Sequence, residues 1–463
     1  MRRDAGSYRD PRGFVFEFEG GIYRSVAEEA VADLDTLLAS KTFERLRKRN
    51  ALVETKLADD KGLFAAVPDA RQFLQHARIP FVSYPYEWPF DLLKRAALLH
   101  LDIQRDALAE GMSLSDSSAY NIQFLGPNPV FIDVLSFRRY QQGEIWAGQR
   151  QFLEQFLNPL LMMSLAGMPY HAWYRGSVEG IESAHLARMI PWYRKISFNV
   201  LAHVVAPARM DRRVAANKAQ ATMAASKVRL PKAHYIGLLN QLREWVAGLE
   251  PLNPVKTTWQ DYDKINTYND AERAAKRDFI HKFCQRAKPD LLVDVGCNTG
   301  EYSEVALAAG AQRAIGLDFD SGALQNACRR AIAKNLDLTP LFQDATNPSP
   351  GQGWRNTERK AIGERGNFDA VLALAVEHHL AIARNVPLDD VVDWLVGWAP
   401  CGVIEFVPKS DPTVQTMLAL REDIFDGYCQ EAFEASLMKR ARIVDQETVS
   451  SSERVLYAFD RTK

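Results

Sequence analysis

The stretch Leu291-Leu-Val-Asp294-Val-Gly296-Cys297-Asn298-Thr299-Gly300-Glu301-Tyr302-Ser303 decides how this chain reads. An apolar strand runs into Gly296, Gly300 follows shortly after, and the pattern predicts a helix beginning near Tyr302. Glycines at such a bend let the backbone turn sharply and come close to a ligand. A dinucleotide loop would read G-x-G-x-x-G and seat a pyrophosphate on the helix N-terminus. Here the spacing is G-x-x-x-G, with Asp294 inside the strand and Glu301 after the turn. Acids in those places suit a cationic or neutral ligand better than a pyrophosphate.

Outward from this loop, strands alternate with helices. The predicted strands are 291–295, 314–317, 339–342, 368–374 and 402–407, with helical stretches between them. Two late candidates, 441–444 and 455–459, suit a closing antiparallel hairpin. This alternation predicts an α/β domain built on a mostly parallel sheet, which binds ligands at the carboxyl ends of its strands. The second strand ends at Asp318, about 20 residues after Gly296, where an acid hydrogen-bonds a ribose diol. The third ends Gln343-Asp344-Ala345, where a carboxylate can accept from an adenine amine.

With glycine loop, second-strand acid, third-strand acid and the fourth strand Phe368-Asp369-Ala-Val-Leu-Ala-Leu in this order, residues 256–463 resemble the class I S-adenosylmethionine-dependent methyltransferases. The resemblance implies a Rossmann-like seven-stranded sheet and S-adenosylmethionine as cofactor. It implies cofactor binding by Asp294, Gly296, Asn298, Gly300, Asp318, Asp344 and Ala345, with the loop on the methionine part, Asp318 on the ribose, and Asp344 and Ala345 on the adenine. The aromatic segment Trp259, Tyr262, Tyr268 then reads either as a lid offering a cation–π face to a sulfonium or as core packing. After the fourth strand comes Glu377-His378-His379. Methyl transfer aligns donor and acceptor and often removes a proton from the acceptor. His378 or His379 is therefore the candidate base, and the alternative is a pair that orders the loop. Glu377, Glu405 and Lys409 are candidate acceptor-binding residues, a solvated loop being the alternative for Lys409. His378-His379-Leu380, Arg384 to Leu388, Glu405 to Lys409 and Arg421 to Phe425 together resemble a narrower bacterial group, the nodulation-protein-like methyltransferases.

The 463 residues carry 57 Lys and Arg against 58 Asp and Glu. This balance disfavours a nucleic-acid acceptor and favours a small molecule, sugar derivative or peptide. Five widely spaced cysteines without a C-x-x-C pair point to reduced thiols, and neither they nor the histidine pair suggests a metal site. The N-terminus lacks the apolar run of a secretory signal, so a cytoplasmic enzyme is expected. The apolar stretch 156–168 is too short to span a bilayer and reads as a buried helix.

The N-terminal half is predicted to be a largely helical α+β domain over residues 1–250, with the methyltransferase-like domain at 251–463. A stretch from Arg209 to Lys232 is rich in basic residues and reads as a solvated connector or an anion contact. Asp116, Asn121 and Asp133, the last at the end of an apolar strand, resemble the catalytic loop and metal-binding aspartate of kinase-like folds. That resemblance implies ATP and Mg²⁺ binding if the site is active, and substrate binding or scaffolding if it is not; an unrelated fold is the further alternative. No His-Arg precedes Asp116, no glycine follows at 135, and Lys56 is only a weak candidate for the phosphate-binding lysine.

Overall fold

The computed structural model describes residues 1–210, 229–252, 269–419 and 421–462. The aromatic segment Trp259 to Tyr268 and most of the basic stretch lie outside the described residues. The chain divides into two units: Met1–Phe124, Asn128–Pro254 and Gly351–Lys360 form one, and Leu125–Pro127, Val255–Pro350 and Ala361–Lys463 form the other.

The first unit opens with an antiparallel sheet of β1 (Arg2–Arg3), β2 (Val15–Phe18), β3 (Gly21–Val26), β4 (Thr55–Ala58) and β5 (Gln72–His76), in the order β1-β2-β3-β5-β4. Between β2 and β3 only Glu19 and Gly20 turn the chain, both at positive φ (47° and 79°). A two-residue hairpin loop needs that geometry to match the strand twist. Phe16, Leu63 and Phe73 pack together beneath the sheet. Helices α1 (Glu28–Leu38) and α2 (Lys41–Lys48) follow β3, and α3 (Lys61–Ala66) links β4 to β5.

Helix α4 (Phe90–Ala109) buries Leu92, Ala96, Ile103 and Ala107 at helical spacing. Four short strands come next. β6 (Met112–Leu114) pairs with β9 (Phe137–Arg139), and β7 (Ile122–Leu125) with β8 (Asn128–Phe131). The apolar run at 156–168 contains α5 (Asn158–Leu165), whose residues Asn158 to Ser164 are all buried. Asn158 is tolerated there because its Nδ2 donates to Ile181 O at 2.7 Å and Ser183 Oγ at 3.0 Å. Helix α6 (Lys232–Ala247) buries Tyr235, Leu239, Leu242 and Val246. No helix among the described residues is long and apolar enough to cross a membrane.

The second unit begins with α7 (Asp270–Ala287), started by a reciprocal cap between Asn269 and Glu272. Then come β10 (Leu291–Val295), α8 (Glu301–Ala308), β11 (Arg313–Asp318), α9 (Ser321–Lys334), β12 (Leu338–Phe342), β13 (Ala370–Ala373), α10 (Leu388–Gly397), β14 (Cys401–Phe406), α11 (Pro412–Leu418), α12 (Gln430–Met438), β15 (Arg442–Thr448) and β16 (Val455–Asp460). The sheet order is β12-β11-β10-β13-β14-β16-β15. The first five strands in this order run parallel, and β16 is antiparallel to both its neighbours. Every residue of β10 is buried, as expected of a central strand covered on both faces. The predicted C-terminal pair forms, but β16 also inserts beside β14. The composition explains this: Val455 to Phe459 are buried, whereas β15, reading Arg-Ile-Val-Asp-Gln-Glu-Thr, is a polar edge. Phe279, Ile280 and Phe283 of α7 join Leu292, Leu372, Val403 and Leu456 in one core.

Candidate functional site

The loop after β10 is shaped by three residues at positive φ: Gly296 (75°), Asn298 (49°) and Gly300 (75°). A Cβ at Gly300 would lie 2.9 Å from the Leu338 side chain, so that glycine is needed for packing as well as for its turn. The backbone N–H groups of Gly296 and Cys297 both donate to Leu317 O, at 2.8 and 3.0 Å. Asp318, at the tip of β11, accepts from Asn298 N at 2.8 Å and from Asp320 N at 2.9 Å. The acid that sequence spacing assigns to a ribose therefore also locks the glycine loop.

A cavity of about 500 Å³ opens at the carboxyl ends of β10, β11, β12 and β13. It gathers Asp294, Gly296, Asn298, Asp318, Asp344, Ala345 and His379 from four separate stretches of sequence. Gly300 does not line it. Asp344 Oδ1 accepts from Thr346 N and Oγ1, at 2.9 and 2.7 Å. The wall also includes the side chains of Lys276, Gln343, Arg384, Trp394 and Met417. Gln343 is buried, its Oε1 accepts from Ser349 Oγ at 3.1 Å, and its Nε2 has no partner among the described residues. A buried donor without a partner costs roughly 1–3 kcal/mol, which a ligand acceptor would recover.

Burial sets the charges here. It raises both Asp294 and Asp318 to about 6. Asp294 is steadied by Ser303 Oγ, which donates to it at 2.5 Å. Burial would also raise Glu301, but Arg277 and Arg273 outweigh it and hold the carboxyl below its usual range. Arg277 Nε and Arg273 reach Glu301 at 2.8 and 2.9 Å. Burial, then the neighbouring His378 and Arg454, depress the proton affinity of His379 and keep its imidazole neutral.

Several expected residues lie elsewhere. Of the histidine pair, His378 faces away from the cavity: its Nδ1 lies 3.0 Å from Glu377 Oε2. Glu377 is fully buried and also accepts from Val407 N (2.8 Å) and the Tyr428 hydroxyl (2.7 Å). Its carboxylate is committed to holding this loop, not to an acceptor. Glu405 is likewise buried, in an ion pair with Lys276 at 2.5 Å, and Lys409 pairs with Asp423 at 2.9 Å outside the cavity. The reason is common to all three: a buried or paired charge is stabilised by its partner and leaves few hydrogen-bonding positions free.

In the first unit, Asp116, Asn121 and Asp133 do come close. Asn121 Nδ2 donates to Asp116 Oδ1 at 3.0 Å. Burial, then the charges of Asp133 and Asp10, raise Asp116 to about 7. Asp133 is paired at 2.6 Å with Arg24 of β3, which also pairs with Asp10. Lys56 is exposed and pairs with Glu54. Among the described residues, no group of three or more His, Cys, Asp or Glu side chains is placed to hold a metal ion.

No family model matches the chain. A curated relative does: nodulation protein NoeA of Rhizobium meliloti (strain 1021) is 42% identical over 462 residues, covering 100% of this chain and 96% of that protein. The chain belongs to the NoeA family. Among solved structures it is similar to the N-methyltransferase NodS of Bradyrhizobium japonicum WM9 in complex with S-adenosyl-L-homocysteine. That likeness has 14% identity and a TM-score of 0.32, and covers 45% of this chain and 100% of that one. It is also similar to magnesium protoporphyrin IX methyltransferase (ChlM) of Synechocystis PCC 6803 with S-adenosyl-L-homocysteine bound. There the identity is 17% and the TM-score 0.32, covering 45% of this chain and 95% of that one.

Proposed function

We propose that this chain is an S-adenosylmethionine-dependent methyltransferase acting on a small-molecule, sugar or peptide acceptor. The observation that carries the reading is the convergence of the glycine loop, Asp318, Asp344 with Ala345, and His379 on one cavity. The unpartnered Gln343 Nε2 and the cluster of acids fit a cationic, nitrogen-rich nucleoside. When bound, S-adenosylmethionine supplies a methyl group on a positively charged sulfur. Asp318 would accept from the ribose hydroxyls, Asp344 from the adenine amine, and the Asn298 turn would cradle the amino-acid end. His379, neutral at the cavity wall, would accept a hydrogen bond from the acceptor; because burial depresses its proton affinity, it could act as general base only if the bound acceptor raised that affinity. Glu377, His378 and Tyr428 position the strand-end loop that carries it.

A second reading concerns the first unit. The reading of this unit as kinase-like rests on its five-stranded sheet followed by the long helix α4, the short pairs β6–β9 and β7–β8, and the Asp116–Asn121 hydrogen bond. Arg24 on β3, joined to Asp133 and Asp10, occupies the carboxylate that Mg²⁺ would need. That favours a role in acceptor binding or scaffolding over phosphotransfer.

Calorimetric titration with S-adenosylmethionine tests the main proposal. Micromolar binding is expected, weakened roughly tenfold in Asp318→Asn and three- to tenfold in Gln343→Leu, as the loss of one charge-assisted or one neutral hydrogen bond predicts. Because Asp294 and Asp318 lie near 6, affinity for the cationic donor should fall as pH drops through 6. No binding at millimolar ligand by a folded sample would remove the methyltransferase reading.

A further inference from the structure

We infer that residues 188–210 form a docking face for an anionic phospholipid bilayer. The exposed apolar side chains of the described residues are concentrated here: Trp192 is 76%, Ile196 73% and Phe198 70% exposed, with Tyr193, Leu201 and Met210 also open to solvent. Scattered single apolar residues on a surface need no explanation; a run of six within 19 residues does. The element is firmly built, so this exposure is not fraying. Val200, His203, Val204 and Ala208 are buried on its inner side at helical spacing. Arg194 donates to Ser164 O at 3.1 Å, and Gln241 of α6 donates to Asn199 Oδ1 at 3.1 Å.

The charge on this face selects the partner. From Ser183 through Met210 the sequence holds no Asp or Glu, while Arg188, Arg194, Lys195 and Arg209 are interleaved with the aromatic residues. The chain as a whole is nearly neutral, so this acid-free run is a local feature. Trp and Tyr favour the headgroup level of a bilayer, Phe, Ile and Leu insert just below it, and Arg and Lys meet anionic lipid heads. Each basic residue near such a surface adds to the attraction, and salt screens it. An apolar protein cleft would match the exposed rings but not the basic residues set among them. The face lies in the first unit and does not depend on the methyltransferase reading.

Vesicle co-sedimentation of the full chain tests this, using phosphatidylcholine alone or mixed with phosphatidylglycerol, at low and high salt. Binding should require phosphatidylglycerol and weaken with salt. It should fall roughly tenfold or more in Trp192→Ala/Phe198→Ala and in Arg188→Glu/Lys195→Glu. Circular dichroism and melting temperature should stay unchanged in both variants, which separates lost docking from lost folding. Failure of the folded wild type to bind either vesicle would overturn the inference. So would light scattering that shows a dimer broken by Trp192→Ala/Phe198→Ala, which would assign the face to a second copy of the chain.

Discussion

Asp116 shows how one half-buried carboxyl links charge to stability. An aspartate in the unfolded chain ionises near 3.8, whereas this one, half-buried beside Asp133 and Asp10, ionises near 7. Between those values the folded protein keeps a proton that the unfolded chain has released. Stability contributed at this site therefore falls as pH rises from about 4 to about 7 and levels off above. Asp116→Asn retains the oxygen that accepts from Asn121 and removes the charge. It is expected to stabilise the protein above pH 7 by on the order of 1–2 kcal/mol and to flatten the pH dependence between 5 and 8. Denaturant titrations across that range measure both. A variant no more stable than wild type at pH 8 would show that Arg24 already neutralises the site.

At the scale of elements, α7 is joined to β14 by the buried Lys276–Glu405 pair, with Lys276 Nζ also 4.7 Å from the centre of the Tyr302 ring. Breaking one partner leaves a buried charge, so Glu405→Leu alone should cost about 3–5 kcal/mol. Lys276→Met combined with Glu405→Leu should recover most of that loss, as chemical denaturation of the single and double variants would reveal. Additive losses would mean that the two side chains act independently. This pair also marks the limit of what the sequence disclosed. The strands of the second unit were legible because uninterrupted apolar runs such as Leu291–Val295 have one natural place in a parallel sheet. Gly296, Asp318 and Asp344 were legible because each stands at the carboxyl end of a parallel strand, the place where such sheets gather ligand-facing residues. Lys276 was not: it lies in the charged run Asp270-Ala-Glu-Arg-Ala-Ala-Lys-Arg-Asp, which reads as a solvated face. Only tertiary packing sets Lys276 opposite Glu405. Arg24 was missed for the same reason, since its partners Asp10 and Asp133 are far apart along the chain. His378 and His379 are adjacent in sequence, and only the turn that follows β13 separates the one that faces Glu377 from the one that lines the cavity.

For the whole molecule, the segment Gly351–Lys360 counts with the first unit although its neighbours along the chain count with the second. Within the first unit Glu358 pairs with Arg9 at 3.0 Å, the Arg359 guanidinium lies 4.1 Å from the centre of the Tyr120 ring, and Lys360 N donates to the Tyr84 hydroxyl at 2.8 Å. A fragment ending at residue 254 lacks these partners. It should melt at a lower temperature than the first unit does in the full chain, and a synthetic peptide spanning 351–360 should raise its melting temperature in a dose-dependent way. A fragment indifferent to the peptide would show that the segment adds no stability.

The segments Leu125–Pro127 and Gly351–Lys360 bear on inheritance as much as on stability. A gene carrying two domains end to end can lose one, duplicate one or lend one to another gene by a single crossover between them. Here no single crossover point leaves both halves whole, because each half has a few codons set within the stretch that encodes the other. The two units should therefore descend as a pair, and a relative holding only one of them would lack the contacts that those few codons supply.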